Sequence, residues 1–160
     1  MASYDVLRVH TPLSLDAASA IVDGALKHAR DNNIEPLTVV VLDIGGNMVA
    51  FKREDGSGIV RHDIAIGKAW GALGMGISSR TIMERTKDRP AFAGAVAAAS
   101  QGRFVPVPGG VLIIGQDDTV VGAVGITGDT SEKDEYCAIT AVQEAGFRTS
   151  PEAPVENWRG

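Results

Sequence analysis

The chain has 160 residues, 44% of them apolar and only 5% aromatic, with a net charge of −5 and a pI of about 5.1. That length suits one domain with a core of small aliphatic side chains, and a single cysteine, Cys137, excludes an intrachain disulfide framework. The acidic balance without a basic stripe argues against nucleic-acid binding, no apolar run approaches the roughly 20 residues of a membrane helix, and with no basic-then-apolar leader at the start a cytoplasmic protein is expected.

Residues 1–13 read as an N-terminal arm, with a short strand expected at Asp5–His10. A helix follows from about Leu15 to Asp31. Ser14 suits its N-cap, and Ala17, Ile21, Ala25 and Ala29 share one face with Ala18, Val22 and Leu26 beside it. Leu37–Leu42 is an apolar, β-branched run, the pattern of a strand buried on both faces. Gly45-Gly46-Asn47 turns the chain into a second strand, Met48–Lys52, which makes a hairpin. Asp55-Gly56-Ser57-Gly58 breaks the pattern before a helix over about Ile59–Leu73. That helix is rich in the small residues Ala65, Gly67, Ala69, Gly71, Ala72 and Gly74, whose glycines are poor formers in isolation, so another backbone should pack closely against it.

A short helix capped by Ser78 or Ser79 runs to Arg85, and Pro90–Ala99 is a third short helical piece. Beyond a rigid loop at Pro106, Pro108, Gly109 and Gly110 lie strands Val111–Ile114 and Val120–Ile126, joined at Asp117-Asp118. The last helix, about Glu132–Ala145, opens with capping-box spacing between Ser131 and Asp134 and ends at Gly146. Residues 148–160 form a Pro-containing tail outside a core of about residues 13–147. The order α-β-β-α-α-β-β-α, within one domain spanning residues 1–160, indicates an α+β protein: an antiparallel sheet with helices outside it.

Three segments could carry chemistry. Asp43-Ile-Gly-Gly, with Gly45 and Gly46, is either a simple hairpin turn or the floor of a pocket whose mouth holds Arg53 and Asp55. Arginine can grip a carboxylate with two parallel hydrogen bonds, which lysine cannot do. Lys68 stands in an almost uncharged helix. It either snorkels to water or reaches a bound anion, and burial could lower its pKa enough for proton transfer. In Gly122-Ala-Val-Gly-Ile-Thr-Gly the residues Gly125, Thr127 and Gly128 lead through Ser131 into a helix start, where free N–H groups favour an anion. The spacing is neither a dinucleotide fingerprint nor a P-loop. His10, His28 and His62 have no metal-site spacing, so no metal cluster is expected; His62 could share the Lys68 pocket and move a proton.

In order and spacing these motifs resemble the GlcG/HbpS-like family, which includes haem-binding proteins and the C-terminal domain of PduO-type cobalamin adenosyltransferases. The resemblance rests on Val41-Leu-Asp-Ile-Gly-Gly-Asn-Met-Val-Ala, Arg53-Glu-Asp-Gly, Asp63-Ile-Ala-Ile-Gly-Lys-Ala, Pro108-Gly-Gly-Val and Val121-Gly-Ala-Val-Gly-Ile-Thr-Gly, ending at Asp134. It covers about Leu13 to Phe147 and implies a profilin-like sandwich that self-associates into dimers, tetramers or octamers. It also implies a small anionic ligand, with haem or a related tetrapyrrole as the nameable cofactor. No axial ligand transfers with the resemblance; His28 and His62 are candidates on chemistry alone. Two features depart from the family pattern: the glycine-rich Gly74-Met-Gly-Ile-Ser-Ser-Arg-Thr, and a terminus carrying Trp158 that is expected to be loosely ordered. Three readings stand open: a small-ligand-binding protein, a metal-independent lyase, isomerase or hydrolase acting on a small carboxylic or oxo acid, and an oligomeric scaffold without a ligand.

Overall fold

The computed structural model describes residues 7–160. The elements are α1 (Leu15–Asp31), β1 (Thr38–Asp43), β2 (Met48–Arg53), α2 (Arg61–Met75), α3 (Ser79–Thr86), α4 (Pro90–Ala99), β3 (Gly110–Ile114), β4 (Val120–Thr127), α5 (Ser131–Glu144) and β5 (Arg148–Ser150). The five strands form one antiparallel sheet in the order β2-β1-β4-β3-β5. Helices α1 and α5 cover one face and α2 the other. This is the α+β sandwich that the element order indicates.

Burial on both faces explains why β1 is apolar throughout. Val39 and Val41 enter the core beneath α1 and α5, while Val40 and Leu42 enter the smaller core beneath α2. Successive strand side chains alternate faces, so a strand covered twice loses its polar positions. On α2 the contact face is Ala65, Ala69 and Ala72. With side chains this small, the helix backbone sits almost on the sheet: a Cβ on Gly125 would collide with the Ala65 carbonyl oxygen, and one on Gly110 with that of Lys68. The N-cap of α1 is as expected, with Ser14 Oγ accepting from Ala17 N at 3.1 Å.

Four expectations change. The strand at Asp5–His10 lies partly outside the described residues, and Leu7–His10 is not strand. The three helical pieces read in the middle of the chain all form, as α2, α3 and α4, one more than the order α-β-β-α-α-β-β-α counts, and no residue of α4 is buried. The start of α5 has Thr130 as N-cap without a side-chain hydrogen bond, because Asp134 is turned inward. The C-terminal segment is ordered: β5 adds a fifth strand beside β3, and Trp158 is 8% exposed, stacked on Tyr136 with ring centroids 3.6 Å apart. The stacking of two large rings outweighs the fraying normal for a terminus.

Candidate functional site

The expected ligand residues fall at opposite ends of the sheet. Asp43 pairs with Gly122 at one end of β1, and Thr38 pairs with Thr127 at the other. Five strand steps of about 3.3 Å separate them by roughly 17 Å, so Asp43, Gly45 and Gly46 cannot share one small ligand with Arg53, Thr127 and Gly128. The Asp43 carboxylate serves its own turn: Oδ1 accepts from Gly45 N at 2.8 Å and Asn47 N at 2.9 Å. Gly46 has φ +78° and lies against the Trp70 indole. Gly125 is explained by the close approach of α2. Gly128 likewise faces the Pro36 carbonyl oxygen, where a Cβ would collide. Asp55 is exposed, and Ser131 is the half-exposed first residue of α5.

Lys68 does not reach a pocket. Its side chain is 2% exposed, and Nζ donates to Asp134 Oδ2 at 2.9 Å and to the Ile126 carbonyl at 2.8 Å. Burial pushes the Lys68 ammonium down in pKa and the Asp134 carboxyl up, each resisted by the other's charge. The pair holds α2, β4 and α5 together. Next to it on α5, Glu135 is fully buried, with Oε1 accepting from Arg80 Nε at 3.1 Å. Burial raises the Glu135 carboxyl to about 7 despite the Arg80 charge.

An apolar recess lies between α2 and α4. It encloses about 220 Å3 and is lined by Trp70, Gly71, Met75, Val96, Ser100 and Phe104 among others. Arg103 lies over the Trp70 ring, 4.5 Å from its centroid, an arrangement that puts a cation at the lip of an apolar slot. No sequence pattern singled out Trp70, Met75 or Arg103, because the recess joins residues from two helices and the loop after α4. His62 lies on α2 one flank away, edge-to-face against Phe51 at 5.4 Å. His28 is on the opposite side of the sheet, edge-to-face against Tyr136 at 6.0 Å, with Nε2 2.9 Å from Glu144 Oε2 but off the hydrogen-bond axis. Among the described residues no group of three or more His, Cys, Asp or Glu side chains could hold a metal ion, and no helix is long and apolar enough to cross a membrane.

A family model described as haem degrading protein HbpS-like matches residues 13–143. Among curated proteins, the chain is 29% identical over 130 residues to an uncharacterized 15.0 kDa protein of the dhaT-dhaS intergenic region of Citrobacter freundii, covering 81% of this chain and 89% of that one. Among solved structures it is similar to a PduOC:heme complex, with 24% identity, TM-score 0.77, and coverage of 86% of this chain and 98% of that one. It is also similar to the ORFY protein of Klebsiella pneumoniae, with 26% identity, TM-score 0.74, and coverage of 91% and 97%. A double mutant of HbpS from Streptomyces reticuli gives 23% identity, TM-score 0.73, and coverage of 91% and 95%.

Proposed function

This chain belongs to the HbpS-like family, and from that premise we propose that it binds haem or a related tetrapyrrole against the outer side of α2. The observation that carries this reading is the apolar recess at Trp70 with Arg103 at its lip. A planar, largely apolar macrocycle with carboxylate arms needs apolar and aromatic walls and a few placed polar groups. Trp70 and Phe104 supply aromatic surface, and Arg103 supplies the cation for a propionate. A relative with the same fold is known as a complex with haem.

The residues fit the group in kind. Met75 lines the recess and carries a thioether, an iron ligand in other haem proteins, whereas His62, eight residues and about 12 Å before Trp70 on the same helix, does not line it. The recess is smaller than a whole macrocycle, so the ligand is only partly enclosed. Little of this chain holds α4 in place, since none of its residues is buried. When bound, haem supplies an iron centre for electron transfer or oxygen chemistry. The chain's own part is to exclude water from one ring face and to fix the carboxylate arms. The reading as a metal-independent enzyme loses Lys68 as its proton carrier, because that ammonium is sealed from any ligand.

Titration of the purified apo-protein with haemin tests the proposal. A saturable Soret shift at low micromolar concentration is expected, and Val96→Trp, which fills the recess from α4, should weaken it tenfold or more. Absence of a saturable shift, or equal affinity in the variant, would refute this site.

A further inference from the structure

The end of the sheet where β1 begins and β2 and β4 finish carries two arginines, Arg53 and Arg61, without an ion-pair partner among the described residues. Thr38 pairs with Arg53 on one side and with Thr127 on the other. Directly opposed residues project from the same face, so Arg53, Thr38 and Thr127 form a row across three strands beneath the start of α2. Arg61, the first residue of α2, donates from Nη1 to Thr127 Oγ1 at 2.8 Å. The Thr38 and Ser57 hydroxyls share a hydrogen bond of 2.8 Å. Thr38 is 0% and Thr127 1% exposed, so the hydroxyl that anchors Arg61 is fixed in the protein interior.

Among the described residues no carboxylate lies within ion-pair distance of Arg53 or Arg61. Of the nearby acids, Glu54 pairs with Arg30 at 3.0 Å, Asp134 with Lys68 at 2.9 Å and Asp129 with Lys133 at 3.2 Å, while the exposed Asp55 and Asp63 form no ion pair with either arginine. Arg61 feels the Asp134 charge at longer range, yet in a chain of net charge −5 two arginines on one sheet face with no ion pair of their own favour an anion. Arg61 spends one of its five N–H donors on Thr127, leaving donors for a planar acceptor. Adjacent strands lie about 4.8 Å apart, so the Arg53 and Thr127 backbones are roughly 10 Å apart, within the combined reach of two arginine side chains.

We propose that Arg61 and Arg53 together bind a carboxylate group, with Arg61, oriented by Thr127, as the two-pronged partner. The carboxylate could come from two sources, a free small dicarboxylate or an arm of a larger ligand lying along α2. Nine residues of helix, about 13 Å, separate Arg61 from Trp70. The assignment does not depend on the tetrapyrrole reading.

The test titrates the intact chain with succinate, with inorganic phosphate as a shape control, by calorimetry and by the arginine Nε–Hε resonances. Saturable succinate binding is expected, weakened tenfold or more in Arg61→Gln, a few-fold in Arg53→Gln, and only partly restored in Arg61→Lys because an ammonium lacks the fork. Thermal midpoints of the variants show whether folding is intact, and exposed Arg53 gives a variant that does not disturb the fold. If succinate does not bind but haemin affinity falls tenfold in Arg53→Gln and Arg61→Gln, the carboxylate belongs to the larger ligand and the assignment stands. Phosphate binding as tight as succinate overturns it, as does unchanged affinity of both variants for succinate and for haemin.

Discussion

A charge taken out of water costs several kcal/mol unless a counter-charge and hydrogen-bond partners surround it. Lys68 has both, in Asp134 and the Ile126 carbonyl. Glu135 is less well served. Arg80 touches it, but its Oε2 makes no hydrogen bond, and burial raises the carboxyl from 4.5 to about 7. Between those values the folded chain holds this proton more tightly than the unfolded chain does. Stability from this group is therefore greatest at and below pH 4.5, falls as pH rises to about 7, and is flat above. Glu135→Gln cannot titrate, so the urea midpoint of the wild type should fall relative to that of the variant across this window, by the equivalent of about 3 kcal/mol. Parallel midpoints from pH 4.5 to 8 would show that Arg80 keeps the group ionised throughout. The isolation of Lys68 among small residues was visible in the sequence, but its partner is 66 positions away. The Arg61–Thr127 contact, also 66 positions apart, was hidden for the same reason. Local spacing marks a residue as unusual; only the packing of α2 on β4 and α5 decides what it meets.

The contact between α2 and the sheet depends on missing side chains. Gly125→Ala would place a methyl group into the Ala65 carbonyl oxygen, which is backbone and cannot swing aside. The whole helix must lift, so a loss of at least about 3 kcal/mol, at the severe end for overpacking, is expected. Gly94 in α4 is the counter-case. An added Cβ meets nothing and φ is ordinary, so Gly94→Ala should stabilise the chain by up to about 1 kcal/mol. Thermal denaturation of the two variants reads both signs. A tolerated Gly125→Ala would mean that α2 rides higher on the sheet than described. Element by element, the core was legible because its signals are local. The apolar run of β1, the small residues of α2 and the Ser14 cap are each readable within a few residues of sequence, even where the partner they pack against is distant. β5 was not legible, since Arg148-Thr149-Ser150 is short and polar and becomes a strand only by pairing with β3.

Across the whole molecule, the C-terminal segment closes one side and α4 leaves another open. Arg80 donates to the Ala153 carbonyl at 2.8 Å and Gln143 to the Glu152 carbonyl at 2.7 Å, so that segment is tied to α3 and α5 before Trp158 stacks on Tyr136. In contrast, α4 reads Pro-Ala-Phe-Ala-Gly-Ala-Val-Ala-Ala-Ala with no residue buried, and Phe92, Met83 and Met75 are each 38–39% exposed. An apolar helix exposed to water on this scale is a surface for association. The expectation of self-association gains a location from this: a second copy would cover α4 and, with it, the mouth of the Trp70 recess. Sedimentation should then give a mass above the 16.7 kDa of one chain, and Phe92→Glu should shift it toward that value because burying an unpaired carboxylate opposes association. Haemin added to the wild type should change the sedimentation profile, since ligand and second copy meet at the same helix. A wild-type chain that sediments at 16.7 kDa at every concentration tested would leave α4 to the ligand alone.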